Sequence, residues 1–204
     1  MAATAPPPLP REFYARPADL VAPDLLGATL RVVGPTGAVR AGRIVEVEAY
    51  VGEADRACHA HRGLTPRTRT LYGAPGTAYV YLVYGVHELF NVVCQPPGVP
   101  HAVLVRAVEL LSRGDEDAAE SDAAAGAGPG KLTRALHIGL GHDGVALGAP
   151  PITIHPGNPP AAVAVGPRVG VGYAGAWAEA PLRFWDPASA AVSRPPRSRL
   201  GAGR

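Results

Sequence analysis

The segment Arg43-Ile44-Val45-Glu46-Val47-Glu48-Ala49-Tyr50 has the alternating pattern of a β-strand, in which successive side chains point to opposite faces. One face is predicted to be apolar and to pack in a core, and it consists of Val45, Val47 and Ala49. The other face is predicted to carry two carboxylates and an aromatic ring, from Glu46, Glu48 and Tyr50, with Ile44 at its start. Such a face could hold a general base beside a stacking surface. The alternative is an edge strand whose polar face meets only water.

A second β-rich segment, from Gly76 to Cys94, is predicted to form a hairpin, because two runs of strand-forming residues flank a turn at Gly85–Val86. Tyr79 and Tyr81 fall on one face of the first strand, where they could simply pack in the sheet. Tyr84 has the opposite parity and lies where the strand meets the turn. An aromatic side chain at a hairpin tip is hard to bury within its own domain. Tyr84 is therefore a candidate for insertion into another molecule.

Together these segments resemble the alkyladenine (3-methyladenine) DNA glycosylase family, in particular its bacterial-type members. The resembling segments follow the family's order and come close to its spacing over roughly residues 10–186. They are Gly42–Tyr50 (GRIVEVEAY), Asp55–His59, Thr65–Arg67, Gly76–Asn91 (GTAYVYLVYGVHELFN), Val103–Glu109 (VLVRAVE), Gly128–Leu132 (GPGKL) and Arg168–Phe184 (RVGVGYAGAWAEAPLRF). An isolated EVEAY would be weak evidence, whereas the ordered set is strong evidence.

Length and charge agree with this resemblance without establishing it. The 204 residues suffice for one domain with a sizeable core, predicted over residues 11–186, with disordered tails at 1–10 and 187–204. The net charge is only +2, but basic residues cluster between positions 56 and 69. This cluster either contacts the DNA backbone or forms a solvated loop. The candidate backbone contacts are Arg62, Arg67, Arg69 and, further along the chain, Lys131. The acidic loop 113–130 is expected to face away from DNA.

The small numbers of lysine and cysteine residues limit the catalytic mechanisms, disulfides and metal sites that this chain can have. Lys131 is the only lysine, so apart from the N-terminus it is the only amine that could form a Schiff base with DNA. We therefore predict a monofunctional glycosylase that activates water. Cys58 and Cys94 are too few for a disulfide framework, and His59-x-His61 is at best half of a metal site. The sequence thus predicts an enzyme without metal or cofactor.

The sequence also indicates the expected localisation, oligomeric state and binding partner. No signal peptide and no apolar segment long enough for a membrane span is visible. The protein is expected to be cytoplasmic and nucleoid-associated, and to act as a monomer. Its expected partner is double-stranded DNA that contains damaged purines.

The pattern predicts an α+β domain, with a mainly antiparallel, curved β-sheet, a protruding β-hairpin and short surrounding helices. No βαβ alternation or internal repeat is visible. Besides the tyrosine hairpin, strands are predicted at 28–33, 40–51, 101–108, 151–155, 168–171 and 182–185. Helices are predicted at 17–26 and 131–138, a helical turn at 109–112, and a long loop at 52–75.

The resemblance implies roles for individual residues in binding. An enzyme that cleaves the glycosidic bond of a base in duplex DNA must flip the nucleotide out, and Tyr84 matches the family residue that fills the gap. The flipped base would lie between Tyr50 on one side and His59 and Tyr81 on the other. Cation–π contact there favours electron-poor alkylated purines. Asn91 matches the residue whose amide crowds the 2-amino group of guanine. Taken alone, Asn91 would suggest an amide in a turn or at a strand end.

The resemblance also implies the catalytic groups. Glu48 matches a carboxylate that deprotonates the attacking water and stabilises the oxocarbenium charge that develops on the sugar. Strand parity alone does not distinguish Glu48 from Glu46. Arg106 matches an arginine beside this water and the DNA backbone, and the alternative is an arginine on the surface of a strand. Two other functions stay open. A lesion-binding protein would not need Glu48, and a hydrolase of free nucleosides would have no use for Tyr84.

Overall fold

The computed structural model of the protein describes residues 6–111 and 123–193, and a nine-stranded antiparallel β-sheet organises these residues. The strands are β1 (Thr29–Val33), β2 (Val39–Val51), β3 (Ala78–Val83), β4 (His87–Cys94), β5 (His101–Leu111), β6 (Gly148–Ala149), β7 (Ile152–His155), β8 (Ala164–Gly166) and β9 (Arg183–Trp185). Their order is β3-β4-β5-β2-β1-β7-β6, and β9 joins β8 to β2. The predicted α+β class with a curved antiparallel sheet is confirmed.

The long strand β2 is the centre of this sheet. One of its edges pairs with β5 over most of its length, and the other edge pairs first with β1 and then, at Glu46–Glu48, with β9. The strand predicted from the alternating pattern is therefore confirmed, but as an interior strand. Its polar side chains consequently lie inside the protein and do not face water, since both Glu46 and Glu48 are fully buried.

The predicted faces of two residues on β2 are wrong. Ile44 packs in the main core, whereas Val45 lies on the opposite face beside Ala191. The strand register explains the exchange, because β2 has one extra residue at Val45 and β5 has one at Arg106. The pairs that flank these bulges are Ile44 with Val108, Glu46 with Ala107, and Val47 with Val105. A bulge reverses the alternation of the residues before it.

Three α-helices, α1 (Arg11–Tyr14), α2 (Ala18–Asp24) and α3 (Pro129–Leu136), lie within the described residues. The predictions at 17–26 and 131–138 are confirmed, with boundaries shifted by about two residues. Pro129 begins α3 at a position where its missing N–H loses no helical bond, and His137 ends the helix with a left-handed φ of 58°. Short 3₁₀ helices occur at His59–Arg62, Arg69–Tyr72, Ala123–Ala125, Leu140–His142 and Gly172–Ala178.

The two faces of the sheet are covered differently. The α-helices pack on one face and close the main core, whose buried residues include Leu25, Leu30, Val47, Phe90, Val103, Leu132 and Ile154. The loop predicted at 52–75 covers part of the other face and contains two of the 3₁₀ helices. The residues buried there are Cys58, Ala60, Leu71, Tyr79, Val93 and Ala102. The second face is therefore only partly filled, and this leaves room for a cavity.

Two further secondary-structure predictions are wrong. Residues 168–171 do not form a strand, because the Arg168 side chain is tied to Asp55 and the next residues turn at Gly170, which has a φ of 77°. The helical turn predicted at 109–112 is absent as far as residue 111. There β5 continues, and Glu109 pairs with Arg43 on β2. In both places long-range contacts outweigh local propensity.

Parts of both predicted tails are described. The Leu9 amide donates to the carbonyl of Ile154 at 2.7 Å, and Ser193 is buried against β2, so residues 6–10 and 187–193 contact the domain. The tail residues 1–5 and 194–204, like residues 112–122 of the acidic loop, lie outside the described residues. The domain limits of 11–186 stay a prediction. In the described ranges, no helix combines the length and apolarity needed to cross a membrane.

Candidate active site

A cavity of about 600 Å³ lies on the face of the sheet that the α-helices leave uncovered. Its wall combines residues from β2, β3, β4 and β5 with the loop after β2 and the turn at 169–173. The predicted site residues on this wall are Tyr50, His59, Arg67, Tyr81, Tyr84, Asn91 and Arg106. The structure thus brings together groups that are as much as 56 positions apart in the sequence (50 to 106).

Glu48 lies directly behind the wall of this cavity, where three residues that line the cavity contact its carboxylate. Its Oε1 accepts the backbone N–H of Val169 at 2.7 Å and meets an Nη1 of Arg106 at 3.2 Å. Its Oε2 accepts the hydroxyl of Tyr50 at 2.9 Å. All three partners line the cavity, although the carboxylate itself is buried. These three contacts fix the orientation of the buried carboxylate.

Arg106 links the two carboxylates of β2. Its Nη1 faces Glu48, and its Nε donates to Oε1 of Glu46 at 2.9 Å. Burial by itself would lower the pKa of Arg106, but Glu48 and Glu46 outweigh this effect and raise it. The guanidinium therefore stays charged at the cavity wall. A fixed positive charge there can attract a phosphate or a developing negative charge.

Tyr50 lies between Glu48 and a second buried ion pair. The guanidinium of Arg168 is 4.7 Å from the centre of the Tyr50 ring, and it forms two hydrogen bonds with Asp55, at 2.5 and 2.8 Å. Burial and the nearby Glu48 raise the pKa of Tyr50 well above its usual value, so its hydroxyl keeps its proton and acts as a donor. The ring is consequently held from behind and from its hydroxyl end.

His59 and Tyr81 form an aromatic wall of the cavity. Their ring centres are 4.4 Å apart, and Nδ1 of His59 lies 3.0 Å from the hydroxyl of Tyr79. Burial, followed by the positive charge of Arg67, lowers the pKa of His59 to about 4. His59 is therefore neutral near pH 7. It adds an aromatic surface and a polar nitrogen to the wall without adding positive charge.

Asn91 is buried on β4, opposite Tyr79 on β3. Its Nδ2 donates to the carbonyl of Tyr79 at 3.1 Å, which fixes the side-chain amide at the cavity wall. The strand-end position considered in the sequence analysis is wrong, since three residues of β4 follow Asn91. A rigid amide in this position can select among ligands by shape and by hydrogen bonding.

Comparisons with known proteins agree with this arrangement. The family model for methylpurine-DNA glycosylase matches residues 12–190. The chain belongs to the methylpurine-DNA glycosylase family. A protein of Myxococcus xanthus is 50% identical over 190 residues, which cover 92% of this chain and 94% of that protein. A protein of Methanocella arvoryzae is 44% identical over 195 residues, covering 92% and 96% of the two chains. Both carry the name "Putative 3-methyladenine DNA glycosylase".

The hairpin of this glycosylase-family chain ends in an exposed tyrosine. Tyr84 follows β3 directly, has a φ of 52°, and is 94% exposed. Gly85 next to it also has a positive φ, of 70°, which permits the tight reversal between the two strands. Val86, the third residue of the tip, is exposed as well. The predicted hairpin and the position of Tyr84 at its tip are confirmed.

The predicted backbone contacts divide into two groups. Arg62 and Arg67 line a second cavity of about 730 Å³ together with Arg56, and Arg67, His59 and Tyr173 also line the first cavity. Arg69 is exposed on the following 3₁₀ helix. Lys131 is exposed on α3 and lines a separate depression with Arg134. The structure thus groups Arg62 and Arg67 at the candidate site, and it places Lys131 elsewhere.

Sequence reasoning missed several residues that shape this site in the methylpurine-DNA glycosylase chain. They are Asp55, Tyr79, Arg168, Val169, Tyr173, Arg183 and Ser193. Asp55, Arg168 and Arg183 lie within the segments that carry the family resemblance, and this was the available signal. Ser193 lies beyond those segments, in the predicted tail. It was not identified because a buried serine and an exposed serine look alike in a sequence.

Proposed function

We propose that this protein is a DNA repair glycosylase that hydrolyses the N-glycosidic bond of alkylated or deaminated purines flipped out of duplex DNA, and leaves an abasic site. Membership of the methylpurine-DNA glycosylase family supports the general activity. The observation that carries the detailed proposal is the position of Glu48, which is buried directly behind the wall of an aromatic cavity and contacts Arg106, Tyr50 and Val169 of that wall. This cavity has room for a purine, since ligand pockets of about 300–1,000 Å³ are typical.

In the proposed reaction, Glu48 accepts a proton from a water molecule as the water oxygen bonds to C1′ of the sugar. The bond between C1′ and the base nitrogen breaks, and its electron pair leaves with the base. The carboxylate also stabilises the positive charge that develops on the sugar. The hydrogen bonds from Tyr50 and Val169 orient Glu48 for this role. Arg106 holds its other side and is available to the phosphate backbone.

The proposed selection of damaged bases has two stages. Damaged bases pair weakly and are therefore the easiest to flip, and Tyr84 at the exposed hairpin tip would fill the gap in the stack. Inside the cavity the base would stack between Tyr50 and the wall of His59 and Tyr81. Cation–π attraction favours cationic purines there by about 1–2 kcal/mol. The fixed amide of Asn91 would reject the 2-amino group of guanine.

We also propose that the enzyme is monofunctional. An amine that forms a Schiff base must reach C1′ of the flipped nucleotide. Lys131, the single lysine of the chain, is on α3 and belongs to a different surface depression than the cavity with Glu48. A water activated by Glu48 is therefore the favoured nucleophile.

The test uses a labelled duplex with one hypoxanthine and a second duplex with one 7-methylguanine. The protein, a Glu48→Gln variant and a Glu109→Gln variant are incubated with each duplex under single-turnover conditions and then treated with hot alkali. Glu109 is a suitable control because it is also paired with an arginine of the sheet, Arg43, but lies outside the cavity. We expect strand breaks only after alkali, and a rate about 10²–10⁴-fold lower for Glu48→Gln alone.

Other outcomes would refute parts of the proposal. Strand breaks without alkali would indicate an amine nucleophile, and the monofunctional mechanism would be wrong. Tight binding to lesion DNA with no base release would indicate a lesion-binding protein. Release of bases from free nucleosides at the same rate as from DNA would indicate a nucleoside hydrolase.

A further inference from the structure

The Glu46 carboxylate accepts four hydrogen bonds beneath the candidate site. It is fully buried, on the strand that also carries Glu48. Its Oε1 accepts three hydrogen bonds, and its Oε2 accepts one. The donors to Oε1 are Nε of Arg106 at 2.9 Å, Nε of Arg183 at 2.7 Å and the hydroxyl of Ser193 at 2.9 Å, and the donor to Oε2 is the backbone N–H of Ser193 at 2.6 Å.

These bonds determine how Arg106 meets Glu48. The Nε of Arg106 is engaged by Glu46, and its Nη2 donates to the hydroxyl of Ser193 at 3.2 Å. Only Nη1 is directed to Glu48, at 3.2 Å. An arginine that was not held in this way could turn both of its terminal nitrogens toward Glu48 and form a two-bond ion pair. Glu46 and Ser193 therefore limit Arg106 to a side-on contact.

We infer that Glu46, Arg183 and Ser193 form a positioning network that holds Arg106 beside Glu48 through one nitrogen and so leaves the Glu48 carboxylate a lone pair for a proton of the attacking water. This inference rests on the proposed function of Glu48 as the base. The network acts through Arg106 and does not touch the reacting atoms. The two carboxylates on one face of β2 therefore have different roles. Glu48 is the proposed base, and Glu46 positions Arg106.

The charges of this cluster support the assignment. Two carboxylates, Glu46 and Glu48, are combined with two guanidinium groups, Arg106 and Arg183, so the buried cluster is neutral as a whole. Burying charges is costly unless each has a partner and its hydrogen bonds are satisfied. Here Arg183 also donates to the Ser193 carbonyl at 3.0 Å, which leaves Glu46 anchored from three separate segments. These hydrogen bonds keep Arg106 in place against its electrostatic attraction to Glu48.

The segment after β9 is part of this network. It begins with Asp186, whose carboxylate accepts the amide of Ala188 at 3.0 Å, and it packs Ala191 against Val45 and Ala107. Val45 is the extra residue of the β2 bulge, and Ala107 follows Arg106, the extra residue of the β5 bulge. Because of these bulges, neighbouring residues point to the same side of the sheet. Val45 does so with Glu46 on β2, and Arg106 does so with Ala107 on β5. The segment 187–193 closes over that side.

The test measures Glu46→Gln and Ser193→Ala, with Glu109→Gln and Ser189→Ala as matched controls. Ser189 is a suitable control because its hydroxyl accepts the amide of Ala191 in the same segment but contacts neither carboxylate. For each variant we would measure the single-turnover rate of base release, the Kd for the lesion duplex and the Tm. We expect a rate about 10–100-fold lower for Glu46→Gln and about 3–10-fold lower for Ser193→Ala, with Kd changed less than about threefold. The controls should match the unaltered protein.

A double-mutant cycle separates positioning from a purely structural role. If Glu46 acts through Arg106, then Glu46→Gln should cost little further rate once Arg106→Gln is present. A structural role would lower the Tm, and the rates of the two single variants would then combine independently. Independent effects in the cycle would overturn the inference, and so would an unchanged rate in Ser193→Ala and Glu46→Gln. If Glu46→Gln does not fold, Ser193→Ala and its double variant with Arg106→Gln decide the question alone.

Failure of the inference can be distinguished from failure of the proposed function. If the unaltered protein releases no base, or if Glu48→Gln keeps full activity, the proposed function fails. If Glu48→Gln is inactive while Glu46→Gln and Ser193→Ala retain the full rate, only the positioning network is refuted.

Discussion

Two buried carboxylate–arginine contacts lie within seven residues of one another in this chain, and they differ in how completely the carboxylate is used. Asp55 and Arg168 form a two-bond ion pair, and the carboxylate also accepts the backbone amides of Val51 and Ala57. Glu48 instead meets a single nitrogen of its arginine, at 3.2 Å. Both carboxylates are fully buried, but only the partners of Glu48 all line the cavity.

This difference indicates how one buried carboxylate can be left able to react while another only stabilises the fold. A carboxylate with two guanidinium bonds and two amide bonds has its lone pairs occupied, so it can hold segments together but cannot readily accept a proton. A carboxylate with fewer contacts can be oriented and still have a lone pair that accepts a proton from water. The Asp55 pair joins the loop after β2 to the turn at 168–171, whereas the Glu48 contact supports the proposed reaction.

The largest expected effect comes from breaking the Asp55 pair. Asp55→Asn would leave Arg168 buried without a compensating charge, and we expect the free energy of unfolding to fall by about 3–5 kcal/mol. Glu48→Gln should lower it by less than about 2 kcal/mol, because Arg106 retains Glu46 as a partner. Urea denaturation of the two variants at pH 7 measures both quantities. Equal losses in the two variants would show that the two carboxylates do not differ in the way described.

Replacing each arginine by lysine also distinguishes the Arg106–Glu48 contact from the Arg168–Asp55 ion pair. Arg106→Lys cannot contact Glu46, Ser193 and Glu48 at once, since an ammonium group lacks the planar fork of a guanidinium. We expect the single-turnover rate to fall about 100-fold, equivalent to about 2.7 kcal/mol. Arg168→Lys should mainly lower the Tm, because it loses the two-bond contact with Asp55. A larger loss of rate in Arg168→Lys than in Arg106→Lys, measured well below the Tm of both variants, would reverse these assignments.

Much of the site could be predicted from the sequence because it depends on local patterns. Alternation on β2 placed Glu48 and Tyr50 on one face, and the two strand-forming runs around Gly85 placed Tyr84 at a hairpin tip. Both features need only the two-residue period of a strand and the conformational freedom of glycine at a turn. The resemblance to a family was needed for His59 and Asn91, whose surroundings come from distant segments.

The features that could not be predicted depend on long-range pairing. The faces of Ile44 and Val45 were exchanged because the bulge on β2 forms only against a matching bulge on β5. The strand expected at 168–171 is a turn because Arg168 reaches across to Asp55, 113 positions away. Glu46 was considered only as an alternative base, since its donors Arg183 and Ser193 are 137 and 147 positions away. No local pattern reports such contacts.

His59 differs from the two carboxylate sites, because its side chain contacts no carboxylate among the described residues and is held in its neutral form. Its pKa is about 4 in the folded protein, against 6.5 for an ordinary histidine. Above pH 6.5 both the folded and unfolded states are neutral at this position. Between pH 6.5 and 4 the unfolded state gains the proton first, so stability is lost as the pH falls. Because His59 is only partly buried, we expect a loss of about 1–3 kcal/mol.

Denaturation curves at several pH values measure this loss, and a His59→Gln variant is the control. The variant should have a flatter dependence of unfolding free energy on pH between 6.5 and 4, since it lacks the group that takes up the proton. An equally steep dependence in the variant would assign the acid sensitivity to other groups.

The smallest expected effect concerns Tyr50, which touches both carboxylate sites. Its ring lies against Arg168 and its hydroxyl donates to Glu48, so Tyr50→Phe removes one contact and keeps the other. We expect a single-turnover rate about 3–10-fold lower, since one of three donors to Glu48 is lost, and a stability loss of about 1 kcal/mol. The Kd for the lesion duplex should change less than about twofold, because the stacking ring remains.

Tyr50→Leu is the matched variant that removes the ring as well, and it should weaken lesion binding in addition to the rate. Comparing the two variants separates the ring from the hydroxyl. A rate loss above about 100-fold in Tyr50→Phe would place the hydroxyl in the chemical step itself, since general acid–base effects are typically about 10²–10⁴-fold. A Kd weakened tenfold in Tyr50→Phe would instead mean that the hydroxyl contacts the flipped base. Either result would break the division between the two carboxylates, since Glu48 would then share its role with the residue that connects it to Asp55 and Arg168.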